Sequence, residues 1–212
     1  MVSPRTIQRL SVYGRVLREL ARDGVEAVFS HELARRSGAT AAQVRRDLMV
    51  IGYSGSPQHG YVVVELLESV ERFLDPNGGQ TVALVGVGNL GTALLAYFRG
   101  RRPKLRIAAA FDRDPRLTGR VLQGCRVYGM DELSKVALAE GIDVGIVAVP
   151  ADQAQEVADA LVRAGVRGLL NFAPVSLRVA DGVHVEDIDM ATALEKAAYF
   201  ARQGAMNEDA VT

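Results

Sequence analysis

Two short runs in this 212-residue chain have the residue types and spacing to do chemistry. The first is Gly86-Val87-Gly88-Asn89-Leu90-Gly91, directly after the apolar run Thr81–Val85 and at the head of a helical pattern. Its first glycine permits a tight turn, its second lets a pyrophosphate approach the backbone, and its third lets helix and strand pack closely. The helix N-terminus adds unsatisfied amides and a positive dipole end, so the chemistry indicated is binding of a dinucleotide pyrophosphate. Asp112 closes the next apolar run, 21 residues after Gly91. A carboxylate there accepts hydrogen bonds from an adenosine ribose and repels a 2′-phosphate, favouring NAD(H) over NADP(H) even beside Arg113. The second run is Gln43-Val44-Arg45-Arg46-Asp47-Leu48. On a helix burying Val44 and Leu48, Gln43 and Arg46 project outward with Arg45 near an edge. Arginine pairs bidentately with guanine and glutamine with adenine, and either can hold phosphates instead.

The sequence offers no set for catalysis. Its histidines are His31, His59 and His184, the first two near the Gln43–Leu48 run and the third in what reads as an ordinary strand. There is no Tyr-x-x-x-Lys pattern and no cluster of metal ligands, and the single Cys125 excludes an internal disulfide framework or a multi-cysteine zinc site. We therefore assign no catalytic residue and no metal ligand.

Helices must position both runs. Ile7, Leu10, Tyr13, Leu17 and Leu20 recur at helical spacing over about 4–23. Ser30 is expected to cap a short second helix ended by Gly38, and Thr40 a third from Ala41 to about Ile51. Gly52, Gly55, Pro57 and Gly60 then turn the chain into a strand at Tyr61–Val64, which makes a winged helix-turn-helix, with a further helix from Glu65 to Leu74. Asp75–Gln80 reads as a linker. Beyond it, apolar strands at Thr81–Gly86, Leu105–Phe111, Val144–Val149 and Gly168–Phe172 alternate with helices near 89–99, 131–140 and 151–164. That alternation predicts an α/β, Rossmann-like, doubly wound parallel sheet. A last helix spans about Asp189–Gln203. The expected division is 1–76 for DNA binding, 77–188 for NAD(H) binding and 189–212 for a C-terminal dimerisation helix and tail.

Composition fits this organisation. Hydrophobic residues make up 49% and charged residues 24%, as in ordinary globular proteins, and the net charge of zero conceals an asymmetry. Residues 1–60 hold nine basic against five acidic side chains, and the remainder 16 against 20, so only one part of the chain is suited to meeting DNA. No run is long and apolar enough to span a bilayer, and the N-terminus lacks the apolar core of a signal peptide, so the expected location is cytoplasmic, with no membrane partner.

Over nearly its whole length the sequence resembles the Rex family of redox-sensing repressors. Ser3–Tyr13 resembles the family's first helix, Gln43–Leu48 its recognition helix, and Gly86–Gly91 with Phe111–Pro115 its nucleotide site. Leu170-Asn171-Phe172-Ala173-Pro174-Val175 is the most family-specific stretch. It follows a late strand, which puts Asn171, Phe172, Ala173 and Pro174 at the carboxyl edge where a nicotinamide would lie, joined by Val149 and Pro150. The resemblance implies a homodimer on palindromic operator DNA, released by NADH with NAD⁺ competing. It also implies a C-terminal helix swapped across the dimer, with Tyr199, beside Phe200, entering the partner's nicotinamide region. Arg15 matches a first-helix arginine tying the DNA-binding domain to that helix. The wing departs from the family: its usual arginine is Pro57 here and one glycine is Gln58, leaving His59 and Tyr61 as the wing's candidate DNA contacts. Met49-Val50-Ile51 likewise stands where Ser-Tyr-Phe is usual. Two alternatives remain open at this level. The glycine loop also suits a coenzyme A ester, and a small NAD-dependent oxidoreductase is disfavoured by the missing acid and base.

Overall fold

In the computed structural model, which describes residues 2–100 and 105–209 (203–209 as backbone only), the chain forms two units, Met1–Gly78 and Gly79–Thr212. The first opens with α1 (Pro4–Arg22), where the Ser3 hydroxyl accepts the Thr6 N–H at 3.2 Å and Pro4 occupies the first turn. Leu10, Tyr13, Leu17 and Leu20 form its buried stripe. After β1 (Ala27–Val28) comes α2 (Ser30–Ser37), ended by Gly38 in the left-handed conformation. Ser30 is not its cap, contrary to the sequence expectation. Phe29 is the N-cap, and its N–H goes to the Glu32 carboxylate at 2.9 Å, leaving the Ser30 hydroxyl free for a longer-range contact. The Thr40 hydroxyl accepts the Gln43 N–H at 3.2 Å and starts α3 (Ala41–Val50) as expected.

The wing is shorter than the sequence suggested. Ser56 and Gly60 exchange backbone hydrogen bonds of 2.9 and 2.8 Å, and β2 (Tyr61–Val62) then pairs antiparallel with β1. Three successive valines argue for a strand continuing to Val64, yet α4 (Val63–Leu74) begins inside them. Burial overrides propensity here: Val63, Leu66 and Val70 lie on one helical face, fully buried in the core built around α1.

The second unit contains β3 (Gln80–Val85), α5 (Asn89–Phe98), β4 (Leu105–Asp112), β5 (Val121–Leu122), β6 (Cys125–Gly129), α6 (Leu133–Glu140), β7 (Ile142–Val147), α7 (Ala151–Arg163), β8 (Gly168–Asn171), β9 (His184–Asp187) and α8 (Met190–Asp209). The sheet order is β5-β6-β4-β3-β7-β8-β9, antiparallel only at the β5–β6 hairpin. The parallel strands therefore run 3-2-1-4-5-6 in chain order, the dinucleotide-binding arrangement, with the topological switch between β3 and β7. α6 and α7 close one face over Val85, Phe111 and Val147, and α5 packs on the other over Leu84, Ala110 and Ile146. The β5–β6 hairpin and β9 were not anticipated, although His184 does lie in a strand.

Candidate nucleotide and nucleic-acid sites

The glycine loop occupies the switch point, and its three glycines answer to different neighbours. Gly86 has φ +96°, a conformation side chains rarely adopt, and a Cβ there would run into the Ala148 carbonyl. A Cβ on Gly91 would strike the Gly86 carbonyl oxygen, so this glycine brings α5 tight against β3. A Cβ on Gly88, by contrast, would meet no protein atom within 4 Å. A Cβ at 88 would find open space, and that space lies before the N-terminal amides of α5, the kind of place where a helix offers donors to an anion. Leu90 is half-buried, and Asn89 begins the helix exposed.

Asp112, at the carboxyl end of β4, holds this loop from the side. Its Oδ2 accepts the Val87 N–H at 2.7 Å and its Oδ1 the Asp114 N–H at 2.9 Å. The carboxylate is partly exposed, and each oxygen keeps a lone pair for a ribose hydroxyl. Arg113 beside it is exposed. Asp114 is bound by Arg116 through side-chain contacts as short as 2.7 Å, which draw its carboxyl down to about 2. Across the switch point, Val149 is half-buried and exposed Pro150 caps α7.

The lip beyond β8 is apolar, with Phe172 half-buried, Ala173 buried and Pro174 exposed. Asn171, expected to line the site, is instead 1% exposed and spent inside the lip. Its amide N–H groups go to the Val175 carbonyl and the Asp187 carboxylate, both at 2.7 Å, and its oxygen accepts the Ala173 N–H at 3.0 Å. With every polar atom engaged, Asn171 shapes the lip rather than offering a side-chain contact to a ligand. It also anchors the end of β9, from which α8 departs. Tyr199 lies on α8, exposed and edge-to-face with Phe200 at 5.3 Å between ring centroids.

On α3 the outward face is basic. Arg45 and Arg46 are exposed and Gln43 is half-buried. Arg45 Nη1 donates to the Ser30 hydroxyl at 3.1 Å, so this guanidinium is held across to the start of α2. Asp47, between the two faces, is 4% exposed and takes two 2.7 Å hydrogen bonds from the Arg9 guanidinium and one of 2.9 Å from the Tyr13 hydroxyl. Burial alone would raise the Asp47 pKa, but these hydrogen bonds and the charges of Arg9 and Arg46 outweigh it and lower the pKa. Asp47 lies inside the Gln43–Leu48 run but carries no role that its sequence context alone assigns. The available signal was an acid at a position whose neighbours Val44 and Leu48 face the core. Its partner Arg9, 38 residues away, had no signal.

At the wing, His59 is exposed with Nδ1 3.3 Å from the Ser56 hydroxyl, and that hydroxyl accepts the Gln58 and His59 N–H groups. Tyr61 corrects a sequence expectation. Its ring is 9% exposed, tilted against Tyr53 and filling the space beside Gly55, so it supports the wing from within instead of reaching outward. Among the described residues no group of acids, histidines or cysteines could hold a metal ion, and no helix is long and apolar enough to cross a membrane.

A winged helix with arginines on its third helix, joined to a dinucleotide-type Rossmann unit, defines a nucleotide-linked DNA-binding regulator. Proteins named redox-sensing transcriptional repressor Rex are 43% identical to the chain in Roseiflexus sp. (strain RS-1), over 92% of this chain and 88% of that protein, and 43% identical in Carboxydothermus hydrogenoformans, over 90% and 91%. The chain belongs to the Rex family of redox-sensing transcriptional repressors. Two crystal structures of the Rex-family repressor RSP, 32% identical, are similar throughout. The complex with β-NAD⁺ and operator DNA gives a TM-score of 0.88, covering 99% of this chain and 96% of that one, and the complex with β-NADH gives 0.85, covering 99% and 98%. Residues 78–175 match the family described as CoA binding domain, and residues 1–48 that described as "Putative DNA-binding protein N-terminus".

Proposed function

We propose that this chain represses transcription from the cytoplasm as a homodimer on palindromic operator DNA, and that NADH releases it while NAD⁺ competes without releasing it. The observation that carries this reading is the presence in one Rex-family chain of an exposed arginine face on α3 and of an open cradle at Gly88. Gly86–Gly91 would take the pyrophosphate, and Asp112 the adenosine ribose while excluding a 2′-phosphate. Val149, Pro150, Phe172, Ala173 and Pro174 would border the nicotinamide, with Tyr199 supplied by the second copy. The bound dinucleotide supplies a ring that is charged in NAD⁺ and neutral in NADH, and an apolar lip favours the neutral form.

On DNA, two recognition helices about 34–36 Å apart match successive major grooves of a palindrome. Gln43, Arg45, Arg46 and His59 are the contacts we assign. NADH acts only insofar as it binds better to an arrangement that cannot meet this spacing, and a coupling of about 1–3 kcal/mol is usual for such devices. The test is fluorescence anisotropy on a labelled duplex from upstream of the chain's own gene, at fixed salt because phosphate contacts make affinity salt-dependent. Release by NADH at concentrations where NAD⁺ has little effect is the expected result, and binding indifferent to both nucleotides removes the redox role. A second reading, response to a coenzyme A ester, is favoured by the family matched over 78–175. Release by an acyl-CoA with NADH silent would select it.

A further inference from the structure

We infer that Met49 reads a thymine methyl group in each half-site of the operator, which makes it a specificity-determining residue. This inference rests on the DNA-binding reading above. Met49 is 74% exposed, among the most exposed large apolar side chains of the chain. It sits one helical turn from both Arg45 and Arg46 (four and three residues on), and side chains at these spacings share one helix face. That face is otherwise built for nucleic acid: the Arg45 guanidinium is fixed at 3.1 Å from the Ser30 hydroxyl, and Arg46 is exposed. Met49 is the long apolar member of this polar surface. Its neighbours Asp47 and Leu48 are buried, whereas Met49 leaves most of its own side chain outside the core.

In a major groove, the apolar group offered by base edges is the C5-methyl of thymine. Three residues of helix separate Arg46 from Met49 by about 4.5 Å along the axis, slightly more than the 3.4 Å rise of one base step. Arg46 and Met49 can therefore address neighbouring base pairs, the arginine by hydrogen bonds and the methionine by burying a methyl. Methionine suits the task because its unbranched, polarisable side chain adapts to an apolar contact of irregular shape.

The experiment takes the full-length chain without NADH, selects a preferred duplex from a random pool, and replaces each thymine in turn by deoxyuridine, which lacks only the methyl. We expect one position per half-site where the replacement weakens binding about four-fold, the ratio that roughly 0.8 kcal/mol for one buried methyl-sized group gives. Met49→Leu should keep that sensitivity, and Met49→Ser should bind the same duplex with the thymine and deoxyuridine versions equal. Wild-type binding unchanged at every deoxyuridine position overturns the inference alone, as does a Met49→Ser protein that still distinguishes the two bases. A chain that selects no duplex overturns the DNA-binding reading together with it.

Discussion

At the scale of single residues, the two arginines of α3 divide the labour. Arg45 is held by Ser30 at the start of α2, a placement suited to a phosphate, whereas Arg46 stands exposed on the same helix. Replacing Arg45 by alanine should therefore weaken binding to all duplexes alike and flatten the slope of log affinity against log salt by about 0.9. Arg46→Ala should cost about 1–3 kcal/mol on the selected duplex and blunt discrimination at one base pair, with the salt slope less affected. Anisotropy titrations from 50 to 200 mM salt separate the two, and equal slopes for both variants would reject the division. Asp47 acts from behind them. Its carboxyl joins α3 to Arg9 and Tyr13 of α1, and Asp47→Asn should cost on the order of 2 kcal/mol in denaturant unfolding at pH 7. The folded Asp47 pKa is depressed, so its contribution is complete above the unfolded value near 3.9 and fades as pH falls through the lower folded value. The gap between wild type and variant should therefore be constant from pH 5 to 8 and close below about pH 4.

At the scale of elements, the strand–loop–helix β3-loop-α5 predicts opposite behaviour for two of its glycines. Gly91→Ala drives a Cβ into the Gly86 carbonyl and should lower stability by about 3 kcal/mol, read by thermal unfolding of the second unit. At Gly88 a Cβ meets no protein atom within 4 Å, so Gly88→Val should leave melting close to wild type while abolishing the stabilisation that NADH gives wild type. A Gly88→Val protein that still responds to NADH would remove the pyrophosphate assignment. These glycines were legible in the sequence because each requirement is local: a turn, a close approach, a helix start. The same holds for α3, where Thr40 and the Val44, Leu48 spacing mark both cap and face. The elements that escaped notice lack such marks. β9 is an edge strand whose His184 and Glu186 face water, so no apolar alternation announces it. The β5–β6 hairpin turns on Gln123-Gly124 with both φ positive, and Gln gives a weaker signal than the usual Asn or Asp. The bonds of Asn171 to Val175 and Asp187, like the pairing of Arg9 with Asp47, depend on which segments meet in the fold, and no local pattern encodes that.

At the scale of the whole molecule, α8 sets the question of assembly. It runs for 20 residues, about 30 Å, and every residue from Met190 to Arg202 is exposed. Asp189 secures its start, accepting the Thr192 N–H at 2.9 Å and the Thr192 hydroxyl at 2.6 Å, so the helix is well begun while its side chains from Met190 to Arg202 stay exposed. Helices of this kind are marginal in water and draw their stability from packing an apolar face. Met190, Leu194, Tyr199 and Phe200 are exposed there, and a second copy of the chain is the occupant our reading assigns to them. The root of α8 is tied through Asp187 to Asn171, the residue that shapes the apolar lip of the nucleotide site. Because our reading puts Tyr199 of α8 in the partner's nucleotide site, assembly and nucleotide binding should fail together when α8 is lost. A chain ending at Asp189 should sediment at little more than the mass of one subunit where the full chain of 22.8 kDa sediments at twice that. Binding to a palindromic duplex should fall to that of a single half-site, because the second half-site contact is no longer tethered to the first. NADH affinity should drop as well through loss of Tyr199, while the truncated chain keeps its cooperative melt because the described side chains of α8, Met190 to Arg202, are exposed and outside the core. A full-length chain sedimenting as a single subunit, or a truncated one that remains dimeric, would place the interface elsewhere and remove Tyr199 from the partner's site.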